Sequence, residues 1–544
     1  MAQDRRLGIG LRQAGLLGLV LATTGLGCGA DRVADATDSG AGPADTGGAE
    51  GSADAGSDTA PAPDTVEGSG QPMAPLEPCG PGPATLSTLR LTVDGTVLRD
   101  ALGREVMLRG ANAGGRSKLP PFVPFAFAES GLDDQVDAPR FDEAADAFYA
   151  RLAGYGFNVV RLLLLWEGLE PVRGSYDETY LARLRGQIEA AQRHGIRVFI
   201  DAHQDLWSRA YCGDGAPVWT LPDPDRPVPD PADCEGWFNG YVSDPDGVVR
   251  PAFDRLWTNA DGVRDAYREM WRHVAEQTRD LDAVIAYEPI NEPYQGTIAE
   301  KTWGEEVLPA FFEEMAGAIR AAAPGAPVVF GSSGLDGADQ SFSLRVPGGG
   351  NMVWGPHFYD PRSFLGIPID ERYSVSRQIA FLRRQAATFG TPVILGEFGA
   401  NTTLETTPIY LRKVYDALDE QLMGATVWHV SLGGPEWNQE FFGMLNLDGS
   451  ETPSLEAVVR PYPRATAGRP VAFAYDALAG VGRFDWQASP GVTELSAPAR
   501  LFGSGIRLTA AGEGLCGGYD PSTGLVRVRS SAAGPASLGF ERVR

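Results

Sequence analysis

The chain has 544 residues, 43% of them hydrophobic, and a formal charge of -25. That length allows two domains with extra segments, and that apolar content allows a sizeable core. The acidic balance argues against a nucleic-acid partner, because phosphate binding needs a basic face.

The N-terminus reads as a targeting segment. Arg5 and Arg6 form a basic start, and Leu11 to Leu26 supply a short, glycine-rich apolar stretch. It is too short for a stable membrane span. The run ends in Thr-Thr-Gly-Leu-Gly-Cys28, a pattern like a bacterial lipoprotein cleavage site with Cys28 lipidated. The expected location is therefore the cell envelope, with ordinary secretion after cleavage at Ala30 as the alternative. Residues 29–84 are mostly Gly, Ala, Ser, Thr, Asp and Pro. Such a segment buries too little apolar surface to fold and reads as a flexible acidic tether.

Alternation of strand-like and helix-like segments follows. Eight apolar runs read as strands: Glu105–Gly110, Asn158–Trp166, Arg197–Ala202, Ala283–Pro289, Pro327–Gly331, Asn351–His357, Pro392–Gly396 and Ala425–His429. Short runs rich in Val, Ile and Leu suit parallel strands covered on both faces. Amphipathic stretches lie between them, including Asp142–Tyr155, Glu178–His194, Val263–Thr278 and Glu305–Ala323. The expectation is an α/β fold, a (β/α)8 TIM barrel, with its active site at the C-terminal ends of the strands. An open doubly wound sheet is disfavoured, since Gly110-Ala-Asn-Ala-Gly-Gly115 lacks the phosphate-turn spacing. A long insertion at roughly 205–262 follows the third strand, the length of a functional rim or lid. Past Pro463 the helical period disappears, and runs such as Val471–Tyr475 and Leu525–Val528 read as an antiparallel β-sandwich. The expected division is 1–28 signal, 29–84 linker, 85–463 barrel and 464–544 C-terminal β-sandwich.

Chemistry gathers at the strand ends. Glu292 follows the fourth run in Tyr-Glu-Pro-Ile-Asn-Glu-Pro293, and Glu397 closes the seventh in Ile-Leu-Gly-Glu-Phe-Gly399. Two carboxylates presented from two strand ends suit retaining glycoside hydrolysis, in which one protonates the leaving oxygen and the other attacks the anomeric carbon. Spacing does not say which is which. Asn291 could hold a sugar 2-hydroxyl, and Arg161 in the second strand could keep Glu397 ionised. His203 and His357 end the third and sixth strands. Tyr359, two residues on, points to the same face as His357 and could reach the nucleophile. Trp428 ends the eighth strand, where an indole could stack on a sugar ring or pack as core. None of the five cysteines forms a CxxC pair, so a zinc ribbon has no support. Cys212 and Cys234 flank a Pro/Asp-rich stretch and could staple it; Cys79 and Cys516 could also pair.

The set Arg161, Asn291-Glu-Pro293, His357-x-Tyr359, Glu397 and Trp428 resembles glycoside hydrolase family 5 across roughly residues 86–463. The resemblance implies Glu292 as acid/base, Glu397 as nucleophile, retention of configuration and no metal or cofactor. Asp201-Ala-His-Gln-Asp-Leu-Trp-Ser-Arg209 and Tyr462-Pro-Arg-Ala-Thr-Ala-Gly468 are similar to the endoglycoceramidase subgroup, which cuts the β-bond between a saccharide and ceramide. That likeness implies an amphipathic glycolipid substrate, a membrane surface as its setting, and a contact from Asp205 to a sugar hydroxyl. The apolar loop Leu119–Phe127 and the aromatics Trp207, Trp219, Trp237 and Phe238 could line a lipid or sugar groove, or pack the loops. Two alternatives stand beside this reading. One is a hydrolase of another β-glycoside: a glucosylceramide, a steryl glucoside or a galactan. The other is a carbohydrate-binding protein on an inactive barrel, which loss of either glutamate would have signalled.

Overall fold

The computed structural model describes residues 72–80, 89–130, 138–234, 244, 247–331, 343–364, 367, 369–432 and 441–543. The expected signal, Cys28, Trp237 and Phe238 lie outside the described residues.

Eight parallel strands form the barrel: β1 (Arg109–Ala113), β2 (Val159–Leu164), β3 (Arg197–Ala202), β4 (Val284–Glu288), β5 (Val328–Phe330), β6 (Met352–Trp354), β7 (Ile394–Leu395) and β8 (Gly424–Val427). Their order around the sheet is β6-β5-β4-β3-β2-β1-β8-β7. Parallel bridges Trp354 to Val393 and His357 to Glu397 close the ring between β6 and β7. Every strand residue is buried, as the continuous apolar runs require. Amphipathic helices cover the outside. Glu178–Arg193 shows why one begins where it does: the Asp177 side chain accepts from the Tyr180 amide, and Leu181, Leu184 and Ile188 turn inward. Losing such a cap costs about 1 kcal/mol.

The C-terminal domain packs two antiparallel sheets of five and seven strands. Phe484, Trp486, Val526, Leu538 and Phe540 fill the space between them. Its make-up departs from the expected division in two ways. Residues Glu105–Gly110 are not one barrel strand. Glu105–Val106 joins the hairpin Leu91–Asp94 and Val97–Asp100 in the seven-stranded sheet, and the barrel starts at Arg109. Glu105 is only partly buried at its place there, whereas all five residues of β1 are enclosed. Leu91, Leu98 and Val106 pack onto Val159, Phe199 and Ile285, so the hairpin stoppers the N-terminal end of the barrel. The expected linker also ends earlier than residue 84. Ala74–Pro75 pairs with Thr509–Ala510, and Cys79 is bonded to Cys516. Backbone hydrogen bonds and a disulfide need no large apolar side chain, so composition alone hid this segment.

Candidate active site

The C-terminal strand ends carry a buried ionic network centred on Arg161. Its guanidinium is fully enclosed. Nε donates to Glu288 at 2.6 Å, Nη1 to Glu397 at 2.5 Å and to Asn112 at 3.0 Å, and Nη2 to Asn291 at 2.8 Å. Asp201 lies 3.1 Å from Nη2. One cation from β2 thus ties together β1, β3, β4 and the turns after β4 and β7. A planar five-donor fork can make these bonds simultaneously, which a lysine could not.

Glu397 receives a second donor, the Tyr359 hydroxyl, at 2.8 Å. Burial pushes its carboxyl pKa up, but His357, Arg161, His203 and Lys118 outweigh this and hold it below the usual value. Glu292 follows in a turn with φ of 35°, a left-handed conformation that costs a side-chain-bearing residue roughly 1–2 kcal/mol. Its Oε1 lies 2.7 Å from His357 Nδ1, and the same nitrogen is 3.7 Å from Glu397 Oε2. Burial disfavours a charged His357, yet the two glutamates outweigh it and raise its pKa. Oxygens of Glu292 and Glu397 approach within 4.8 Å of each other. Carboxyl groups about 5–5.5 Å apart suit double displacement, whereas inversion needs about 6.5–9.5 Å to fit a water.

Asn291 is held twice, its oxygen by Arg161 and its nitrogen by donation to the Gln204 carbonyl. One amide hydrogen remains for a ligand.

A second cluster adjoins the first. Trp428 is flanked by His203, stacked at 5.2 Å, and by the Lys118 ammonium at 4.5 Å from its ring centre. Lys118 also sits 2.5 Å from Asp205 and 4.0 Å from Asp214. His203 lies between Asp201 at 2.7 Å and Asp205 at 3.6 Å. Burial opposes its charge, but Asp201 and Asp205 win and push its pKa up to about 10. Asp205 is driven the other way: burial raises it, and Lys118 and His203 more than reverse that. Asp214 stays well above the ordinary range through burial and the neighbouring Asp205. His203, Asp205 and Asp214 have a spacing that could suit a metal ion, but the Lys118 ammonium already supplies the cation among these carboxylates.

All seven supporting side chains expected from the sequence (Arg161, His203, Asp205, Asn291, His357, Tyr359 and Trp428) lie in these two clusters around the two glutamates. Sequence reasoning missed Asn112, Lys118, Asp214 and Glu288, and it gave Asp201 no role. A signal for Asp214 existed in its flanking glycines. A Cβ at Gly213 would come within 1.6 Å of the Asp205 carbonyl oxygen, and one at Gly215 within 2.5 Å of that of His203. The ribbon carrying Asp214 must therefore lie flat against the end of β3. Cys212, at its start, is disulfide-bonded to Cys234.

The loop aromatics mostly pack. Trp207 is buried edge-on to Trp166 and donates to Thr220. Trp219 donates to the Glu170 carbonyl, and Phe125 and Phe127 meet Phe141. Their groove role is not what the structure gives them. Phe122, half-buried, packs edge-on against Tyr180 and also borders an apolar group with Trp428, Phe442 and Tyr359, whose hydroxyl reaches Glu397.

Comparison with known proteins agrees with this geometry. The chain is 26% identical over 486 residues to endoglycoceramidase I of Rhodococcus hoagii, covering 85% of this chain and 89% of that protein. It is 33% identical over 248 residues to a glucosylceramidase of Rhizopus delemar, covering 38% and 35%. Among solved structures, endo-glycoceramidase II from Rhodococcus sp. in its ganglioside GM3 complex superposes with a TM-score of 0.66 at 25% identity, covering 83% of this chain and 100% of that one. Residues 460–537 match the glycoside hydrolase family 5 C-terminal domain. Residues 135–434 match the family model "Cellulase (glycosyl hydrolase family 5)", and the chain belongs to that family of glycoside hydrolases.

Proposed function

We propose that this enzyme is a retaining β-glycosidase that cleaves the bond between a saccharide and the ceramide of glycosphingolipids. The observation that carries the reading is the pairing of a doubly hydrogen-bonded, charge-stabilised Glu397 with Glu292, an oxygen of which lies within 4.8 Å of it. Glu397 attacks the anomeric carbon as Glu292 protonates the departing ceramide oxygen. A glycosyl ester forms on Glu397, and the C–O bond to the lipid breaks. Glu292, now ionised, takes a proton from water, which attacks the same carbon and frees Glu397. Asn291 offers its remaining amide hydrogen to the sugar 2-hydroxyl, a contact that strengthens in the transition state.

The lipid end of the reading is supported by the endoglycoceramidase relatives and by the apolar group around Phe122 and Phe442. Lipidation at Cys28, with export to the cell envelope, would keep such an enzyme near membrane-borne substrate and raise its effective concentration there.

The test is incubation of the full chain with a ganglioside, lactosylceramide and glucosylceramide in detergent, read by mass spectrometry. Intact oligosaccharide plus ceramide is the expected result. Release from glucosylceramide alone would instead indicate a closed sugar site and a glucosylceramidase. Inertness toward all three would overturn the glycosphingolipid assignment and leave steryl glucosides and galactans.

A further inference from the structure

Three carboxylates share the Arg161 guanidinium, and they are not equivalent. Glu288 takes Nε at 2.6 Å, Glu397 takes Nη1 at 2.5 Å, and Asp201 lies 3.1 Å from Nη2. Asp201 has a second partner in His203 at 2.7 Å. Glu397 has the Tyr359 hydroxyl at 2.8 Å and His357 at 3.7 Å. Glu288, the last residue of β4, makes no other ion pair among the described residues. It stands beside Asp201 in the register of β3 and β4, and its side chain is 3% exposed. Burying a carboxylate forfeits hydration that one ion pair only partly offsets, so an apolar residue would hold the barrel together as well.

Arg161 draws Glu397 toward its ionised form, and an attacking carboxylate must give that charge up. As the glycosyl ester forms, the Glu397 charge disappears and the cation keeps only Asp201 and Glu288. A standing negative charge on the same guanidinium weakens the hold on Glu397 before attack and balances the cation after it. Burial pushes the Glu288 carboxyl pKa up and Asp201 adds to that, while Arg161 and His357 act in the opposite direction. The groups that act on Glu397 are His357, Arg161, His203 and Lys118, with Glu292 within 4.8 Å.

Taking Glu397 as the attacking group, we propose that Glu288 is its positioning residue. It anchors Arg161 through Nε and supplies the unreacting counter-charge that lets Glu397 give up its own. This role rests on the reading of Glu397 as nucleophile.

The test is the rate at which a dinitrophenyl 2-deoxy-2-fluoro-β-lactoside labels the full chain, measured against pH. In Glu288→Gln an amide oxygen still accepts from Arg161 Nε, but the charge is gone. With one anion fewer on the guanidinium, Glu397 is held more firmly ionised, so the acid limb should move down by about half a pH unit or more. On the plateau above the limb, labelling should slow a few-fold with an unchanged half-saturating concentration, because Glu288 acts through Arg161. Tyr359→Phe removes a donor from Glu397 and moves the limb the other way, so the double variant should lie between the two. Glu288→Ala removes the anchor as well and should slow labelling by about 10²-fold, as expected when an orienting group is misplaced. A Glu288→Gln limb that stays with the parent's, or a rate that falls equally at every pH, would make Glu288 a strut and overturn the proposal alone. A parent enzyme not labelled at Glu397 would overturn the nucleophile reading and this role with it.

Discussion

Arg161 Nη1 lies 2.5 Å from Glu397 Oε1, with the guanidinium wholly enclosed and the carboxylate nearly so. The guanidinium's opposite charge at this distance favours the ionised carboxylate over its protonated form. The sign follows directly. Glu397 is depressed in the folded state, so its contribution to stability is present above the ordinary glutamate value and is lost as pH falls through the lower, folded value. The acid limb of kcat/KM should accordingly lie below about 4.3, the ordinary glutamate value. Tyr359→Phe removes the second donor and should move that limb upward while lowering kcat by about 10²–10³-fold. A pH–rate profile of both proteins checks this. An unmoved limb in Tyr359→Phe would show that the 2.8 Å contact does not tune Glu397.

Removal of the attacking group should be repairable from outside. Glu397→Gly is expected to lose turnover and to regain it with azide, a small anion that occupies the space of the lost carboxylate. Release rates with and without azide measure the effect. Undiminished activity in azide-free buffer would exclude Glu397 as nucleophile.

Glu292→Gln should discriminate among leaving groups. A ceramide alkoxide departs only with protonation, whereas a nitrophenolate needs little help, so the loss on glycolipid should exceed that on an aryl glycoside by about 10²-fold or more. Comparing kcat/KM on the two substrates decides the point. Equal losses would assign the acid elsewhere.

His203 is a prediction about charge. Its two aspartate neighbours push its pKa to about 10, so it should remain protonated across neutral pH. For a raised pKa, the stability it contributes is complete below the unfolded value of about 6.5 and disappears as pH rises toward 10. The imidazole NMR shifts of His203, assigned with a His203→Gln variant, should not titrate between pH 5 and 8. A midpoint near 6.5 would contradict the ion cluster around Trp428.

Much of this architecture was legible because barrels write themselves as short, evenly repeated apolar runs. Arg197–Ala202 and Val263–Thr278 fall where their patterns placed them. Glu292 and Glu397 stood out as carboxylates at the ends of such runs. Partners supplied by distant segments were harder to see. Lys118 sits 87 residues before Asp205, and nothing in its neighbourhood along the chain points there. Glu288 reads as part of a strand until Arg161 is known to face it. The aromatics of the third-strand insertion illustrate the opposite error. Trp207 and Trp219 look available in the sequence because loops lie on the surface, but both pack edge-on against Trp166 and tie the insertion to the barrel core. The strand Ala74–Pro75 escaped notice because it is held mainly by backbone hydrogen bonds and a disulfide, with Leu76 its apolar contact to the C-terminal core.

The most direct measurement is covalent trapping. A 2-deoxy-2-fluoro glycoside with an activated leaving group slows hydrolysis of a glycosyl-enzyme more than its formation, so the intermediate accumulates. After digestion, mass spectrometry should find one sugar on the peptide containing Glu397 and none on that containing Glu292. An unlabelled enzyme that still hydrolyses glycoside, or a sugar carried by another residue, would contradict the account.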